Sequence, residues 1–151
     1  MKPANIRITK DFRFEAAHAL WGYDGACRNI HGHSYILHVT IIGKPVSDPK
    51  HPKFGMVMDF SVLKKIVNET IIKSFDHALL VRKGTPHAEL AKNSELVGKV
   101  FEMDYQPTCE NMVVDFAEKI SSHLPADVKL FSLRLHETAT SYAEWYADDN
   151  S

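Results

Sequence analysis

The chain has 151 residues, 44% of them hydrophobic, so residues 1–151 read as one domain long enough to bury a core. A net charge of −1 with mixed signs argues against nucleic acid or a polybasic membrane contact, and no apolar run nears the roughly 18 residues of a membrane span. Two cysteines are too few for a disulfide scaffold, and Met1 to Asn5 leads into a strand pattern without a signal-peptide core, so a cytoplasmic protein is expected.

Residues 5–18 read as a long amphipathic strand. Ile6, Ile8, Phe12, Phe14, Ala16 and His18 share one face with Lys10, while Arg7, Thr9, Asp11, Arg13 and Glu15 take the other. Gly22, Asp24, Gly25 and Asn29 mark residues 19–30 as a loop, and this loop carries Cys27. Residues 31–43 form a second long strand, rich in β-branched and aromatic types from Tyr35 to Ile42 and antiparallel to the first. Gly43 to Gly55 is a connection with Pro45, Pro49 and Pro52, followed by a short extended run from Met56 to Asp59. Val62, Leu63, Ile66, Val67, Thr70 and Ile71 then recur at helical spacing behind a cap at Asp59 or Ser61, and this helix ends near Ser74. Gly84, Pro86, Asn93 and Ser94 break up residues 82–106, where Leu96 to Phe101 is a candidate short strand. Thr108 caps a second helix, with Met112, Val113, Phe116, Ala117, Ile120 and Leu124 on one side and Pro125 as its stop. Val128–Glu137 and Ser141–Tyr146 are the last two strands. This order predicts an α+β fold: a four-stranded antiparallel sheet with both helices on one face.

His18, His31 and His33 fall at strand ends on the apolar parity, where an unpaired imidazole is costly. Three imidazoles without a fourth protein ligand are the usual arrangement of catalytic zinc, because water or substrate takes the open position. No carboxylate within these two strands completes a facial triad, which favours zinc over iron. Cys27 precedes His31 on the loop over this cluster. It is either a working thiolate beside the metal or a fourth ligand closing a structural site, and spacing leaves both open. Cys109, at a helix start, is the competing thiol. Asp76 and His77 are adjacent, and a carboxylate can orient a histidine for proton transfer, although chain neighbours often point apart. Glu137 shares the parity of Phe131, Leu133 and Leu135, so it projects from the apolar face. A carboxylate there needs a partner, either an amidine-like ligand or an arginine such as Arg134 or Arg13. Glu110 sits where an acidic side chain favours a helix dipole.

Several motifs occur in one order: Phe14-Glu15-Ala16-Ala17-His18, Cys27-x3-His31-Gly32-His33-Ser34-Tyr35, Gly55-Met56-Val57-Met58-Asp59-Phe60, Asp76-His77, Pro107-Thr108-x-Glu110-Asn111 and Glu137-Thr138. Together they resemble the 6-pyruvoyltetrahydropterin synthase / 6-carboxy-5,6,7,8-tetrahydropterin synthase (QueD) family over nearly the full chain. The short gap between Cys27 and His31 resembles the carboxytetrahydropterin branch. The resemblance implies the tunnelling fold (T-fold), a four-stranded antiparallel sheet with two helices on one side. It also implies homo-oligomeric rings, trimers or hexamers, with sites at subunit interfaces. It implies Zn2+ on His18, His31 and His33, Cys27 as acid/base thiol rather than ligand, and His77 with Asp76 as the proton partner of Cys27. Glu137 is implied as the pterin anchor and a member of a charge relay, and Thr108 and Glu110 match a segment lining the pterin pocket.

The reaction implied is that of a lyase: 7,8-dihydroneopterin triphosphate gives 6-carboxytetrahydropterin, acetaldehyde and triphosphate, towards queuosine and related deazapurines. The near alternative is a pyruvoyltetrahydropterin synthase or another pterin-processing paralogue. The alternative of a different class is a non-catalytic protein with a structural zinc site closed by one cysteine and three histidines. Residues 82–106 look longer than in compact members of the family, and Cys109 is unusual in its segment. Arg28 is a candidate for holding the triphosphate.

Overall fold

Alternating apolar and polar residues build two long strands, β1 (Ile6–His18) and β2 (His31–Gly43). In the computed structural model, which describes residues 2–151, they pair antiparallel from Ile6 opposite Gly43 to His18 opposite His31. Beyond β1 lie two strands that the alternation does not announce. β3 (Ala78–Arg82) runs parallel to β1, and β4 (Val100–Met103) runs parallel to β3. On the other side β5 (Val128–His136) pairs with β2 and β6 (Tyr142–Tyr146) with β5, both antiparallel as expected. The sheet is therefore six-stranded and mixed, in the order β4-β3-β1-β2-β5-β6, and the expected four-stranded antiparallel sheet is only its larger part. β3 shows no alternation because Ala78, Leu79, Leu80 and Val81 are all buried, as in a strand covered on both faces.

Helix α1 (Phe60–Val67) passes through a π-helical segment (Asn68–Ile72) into a last turn, α2 (Lys73–Phe75). Asp59 caps its start by accepting the Ser61 N–H. In the π segment the Thr70 hydroxyl donates to the Ile66 carbonyl, a bond of the kind that distorts helices. Helix α3 (Pro86–Asn93) starts behind the Thr85 cap, and its Ala88 and Ala91 pack on Leu79 and Val81 as a small second core. It covers the face of β3 opposite to Ala78 and Leu80, so a third helix must be added to the two expected on one face. The strand expected over Leu96–Phe101 sits later, at Val100–Met103. A turn from the Ser94 carbonyl to the Val97 N–H comes first and leaves Leu96 exposed.

Helix α4 (Cys109–Ser121) starts at Thr108, whose side chain accepts the Asn111 N–H. Its Met112, Phe116 and Ile120 join Leu63, Ile71 and Phe75 over the main core. Phe14 stacks on Tyr35 at 4.8 Å and meets the edges of Phe75 and Phe116, so one aromatic cluster ties both helices to β1 and β2. Truncating such a ring to alanine costs about 3–5 kcal/mol. A register shift opposite Thr40 and Ile41 puts a bulge in β5, and the buried parity changes from Val128 and Leu130 to Leu133 and Leu135. Phe131 therefore does not share the face of Leu133, as its parity suggests. It lies on the open face, with the Arg7 guanidinium 3.8 Å above its ring.

Candidate functional site

Antiparallel pairing sets His31 opposite His18, and His33 opposite the small Ala16, all on the helix-covered face. The three rings meet with centroids 4.6, 5.1 and 4.9 Å apart, and their ligand nitrogens lie within 4.8 Å of one another. His18 Nδ1 is 2.7 Å from the Pro107 carbonyl and His31 Nδ1 is 2.7 Å from the Asn29 carbonyl. A carbonyl only accepts, so both Nδ1 atoms carry a proton, and with the rings neutral both Nε2 atoms present lone pairs. Those two Nε2 atoms are 3.0 Å apart, a contact between acceptors that a shared cation relieves. Burial pushes the pKa of His18 down to about 4 against the pull of the Pro107 hydrogen bond, so the ring is neutral at pH 7. Burial likewise lowers that of His33, although Glu137 opposes it, and His33 Nε2 is buried without a hydrogen bond. Neutral nitrogens, two of them oriented through their second nitrogen, fit a divalent ion.

The 19–30 loop closes on itself through the Leu20 N–H and the Cys27 carbonyl at 3.0 Å, with a 3-10 turn over Ala26–Arg28. It forms one wall of a cavity of about 480 Å³ lined by Trp21, Cys27, Thr108, Cys109, Glu110 and Glu137, among others. That volume suits a small heterocyclic ligand. Cys27 is partly exposed there, and among the described residues the metal-ligand group contains the three histidines without it. Cys109 is 5% exposed, its Sγ donates to the Leu135 carbonyl, and burial pushes its thiol up to about 11. Its surroundings favour the thiol over the thiolate. Glu137 follows β5, with its N–H on the Ser141 carbonyl at 3.1 Å. Its Oε1 lies 3.3 Å from His18 Nε2 and 3.2 Å from His33 Nε2. Arg134, one arginine considered for Glu137, bonds Glu144 instead at 2.8 Å.

Asp76 and His77 do form a pair, with His77 Nδ1 3.0 Å from Asp76 Oδ2. His77 sits at φ 61°, an uncommon conformation for a residue with a side chain. It is held by its own N–H on the Glu15 carbonyl and by the Glu15 N–H on Asp76 Oδ1. That last bond is the main reason the Asp76 carboxyl lies below the usual range, with the His77 contact adding to it. The left-handed residue is fixed from both sides, and its ring is 78% exposed. It lines a second cavity, of about 520 Å³, together with Glu15, Ile30, His33 and Leu96, and not the Cys27 cavity.

The model of the 6-pyruvoyl tetrahydropterin synthase family matches residues 7–148. The chain belongs to this family. It is 37% identical over 144 residues to the 6-carboxy-5,6,7,8-tetrahydropterin synthase of Haemophilus influenzae, across 93% of this chain and 98% of that one. To the protein of the same name in Aquifex aeolicus it is 33% identical over 161 aligned residues, across 91% and 96% of the two chains. Among solved structures, an uncharacterized protein from Wolinella succinogenes shares the fold at TM-score 0.78 and 22% identity, over 95% of this chain and 99% of that one. The 6-pyruvoyl tetrahydropterin synthase of Caenorhabditis elegans matches at TM-score 0.68 and 25% identity, over 97% and 99% of the chains.

Within this synthase-family chain, then, the expected site residues divide into two groups. Cys27, Thr108, Glu110 and Glu137 converge on one cavity, and Glu137 reaches from it to the histidines. His77 lines another, with Asp76 paired to it from outside that lining. Arg28 is exposed in the loop's 3-10 turn and is not part of either lining. Sequence reasoning passed over Gln106 and Trp21, which also line the Cys27 cavity and are joined by Gln106 Nε2 on the Trp21 carbonyl at 3.0 Å. The one sequence signal for Gln106 is its place directly before the Pro107-Thr108 motif.

Proposed function

We propose that this member of the family is a 6-carboxy-5,6,7,8-tetrahydropterin synthase, converting 7,8-dihydroneopterin triphosphate and water to 6-carboxytetrahydropterin, acetaldehyde and triphosphate. One observation carries the reading: a cavity of ligand size in which a partly exposed thiol, Cys27, and a carboxylate, Glu137, converge beside three clustered histidines. The 37% identical relative named for the same activity supports the carboxy branch over the pyruvoyl one.

In this reading Glu137 accepts N–H groups of the pterin's amidine-like edge and fixes the ring, so that its side chain reaches the histidine cluster. Cys27 exchanges a proton with a side-chain carbon, and Thr108 and Glu110 line the pocket around the ring. His18, His31 and His33 would hold Zn2+, which supplies Lewis-acid polarisation of a substrate oxygen when bound. Because His77 and Cys27 line different cavities of one chain, the proton partner, His77 with Asp76 bonded to it, comes from a neighbouring subunit of a homo-oligomeric ring, a trimer or hexamer. A reducing cytoplasm suits the two free cysteines. No helix among the described residues is long and apolar enough to cross a membrane. The test is release of acetaldehyde and triphosphate in equal amounts from dihydroneopterin triphosphate. Triphosphate released without acetaldehyde would move the assignment to the pyruvoyl alternative.

A further inference from the structure

We propose that Lys99 is a positioning residue for the proton partner: by holding the carbonyls of Lys73 and Asp76, its ammonium keeps His77 in the left-handed bend that directs the imidazole. The inference rests on the reading of His77 as proton partner and adds a residue to it.

The chain leaves its helix at His77, and the hydrogen bonds show what it gives up there. Up to Asp76 the pattern is helical, with the Asp76 N–H on the Ile72 carbonyl at 2.9 Å, four residues back. One more residue of helix would set the His77 N–H on the Lys73 carbonyl. That N–H goes instead to the Glu15 carbonyl of β1, 2.6 Å away, and the chain turns to φ 61°. The Lys73 carbonyl thereby loses its helical donor, and the Lys99 ammonium bonds it at 2.8 Å. The same ammonium lies 2.6 Å from the Asp76 carbonyl. The helix dipole favours a cation at this end.

The second bond fixes more than a carbonyl. The Asp76 carbonyl and the His77 N–H belong to one planar peptide unit. Lys99 holds its oxygen and Glu15 holds its N–H, so the plane is pinned from both sides. The direction of the His77 side chain follows from that plane and from φ. Left-handed backbone is unfavourable for a residue with a Cβ, and the surrounding bonds must hold it. Without the ammonium the Lys73 carbonyl is open to the His77 N–H, whose return would straighten the bend into helix. Lys99 is itself anchored. Its own carbonyl takes the Leu79 N–H at 2.9 Å, it directly precedes β4, and it lines the cavity that His77 lines.

Turnover of dihydroneopterin triphosphate by the zinc-loaded protein is measured for Lys99→Met, His77→Ala and the double variant, with folding checked by circular dichroism. Lys99→Met should lower kcat about tenfold, the effect of a proton group held in the wrong direction, and leave KM within about twofold. In the double variant Lys99→Met should add nothing to the loss in His77→Ala, because the ammonium acts through that ring. Hydrogen exchange gives a readout that needs no turnover. The amides of Glu15 and His77, bonded across the bend, should exchange about tenfold faster in Lys99→Met. Unchanged kcat or unchanged exchange in Lys99→Met overturns the inference, as does an equal loss of kcat with and without His77. Lys99→Gln takes the same place if the Met variant does not fold. The reading beneath is tested apart. Full turnover by His77→Ala, with exchange still faster in Lys99→Met, means that Lys99 holds the bend but His77 moves no proton, and the positioning role falls with it. A large loss in His77→Ala beside an indifferent Lys99→Met removes only the role of Lys99.

Discussion

A site shared between subunits can be tested by mixing two inactive proteins. Cys27→Ala removes the thiol from one cavity, and His77→Ala removes the ring that stands on the other. Each variant alone should lose about 100-fold or more in turnover, the usual size of an acid/base contribution. If a working site takes Cys27 from one subunit and His77 from its neighbour, a reassembled equal mixture contains sites with both groups intact. Independent assortment makes them about a quarter of all sites, so turnover should return to about a quarter of the parent value. The assay dissociates the two variants together in mild denaturant, refolds them by dilution and follows consumption of dihydroneopterin triphosphate. The same mixture combined without dissociation is the baseline. Both substitutions are gentle on the fold, since Cys27 lies in a loop and the His77 ring is 78% exposed. Activity no higher than that of the separate variants after subunit exchange would refute the shared site and require a movement that joins the two cavities within one chain.

The side-chain environments set three more expectations. Iodoacetamide at pH 8 should label Cys27 in the folded protein and spare Cys109, because a thiol pushed up to about 11 is only roughly one part in a thousand thiolate at that pH. Peptide mapping that finds Cys109 labelled first contradicts this. Stability should fall as pH rises from about 9 to about 11: the folded Cys109 holds its proton above its ordinary value of 9.0, so the unfolded chain releases its proton first. The Cys109 share of that fall is about 3 kcal/mol, read by urea unfolding as the difference in slope between the parent protein and Cys109→Ala. Identical slopes contradict the burial argument. For the histidine cluster, zinc at about a thousand times its dissociation constant adds about 4 kcal/mol of stability, so a chelator should lower the melting temperature by about 10 °C. His33→Ala, at a partly exposed position, should melt like the chelated protein and no longer respond to the chelator. A chelator response that survives His33→Ala places the metal elsewhere.

How much was legible in the sequence depended on whether one residue's surroundings repeat with a simple period. β1 and β2 alternate cleanly, and antiparallel register then brings equal parities together, so the meeting of His18, His31 and His33 followed from the pattern alone. β3 was hidden because it is covered on both faces, and α3 because Gly84 and Pro86 read as breakers when Thr85-Pro86 is in fact a cap and a first helical residue. Glu137 was assigned the correct face although Phe131 was not, since the β5 bulge lies between them and only the later part of the strand keeps the parity of Glu137. The pairing of Asp76 with His77 depends on the left-handed backbone at His77, which no spacing rule reports. Gln106 was out of reach for another reason: its side chain is set in the cavity lining by a bond to the carbonyl of Trp21, far away in the chain.

On the proposed function, the Cys27 cavity and the histidine cluster together convert dihydroneopterin triphosphate to a carboxylated pterin. The most direct test is the mass spectrum of the pterin formed by the zinc-loaded protein, with zinc-loaded Cys27→Ala beside it. The parent protein should give 6-carboxytetrahydropterin, and Cys27→Ala should return unchanged substrate while retaining its zinc. A pyruvoyl product, no product, or full turnover by Cys27→Ala would contradict that function.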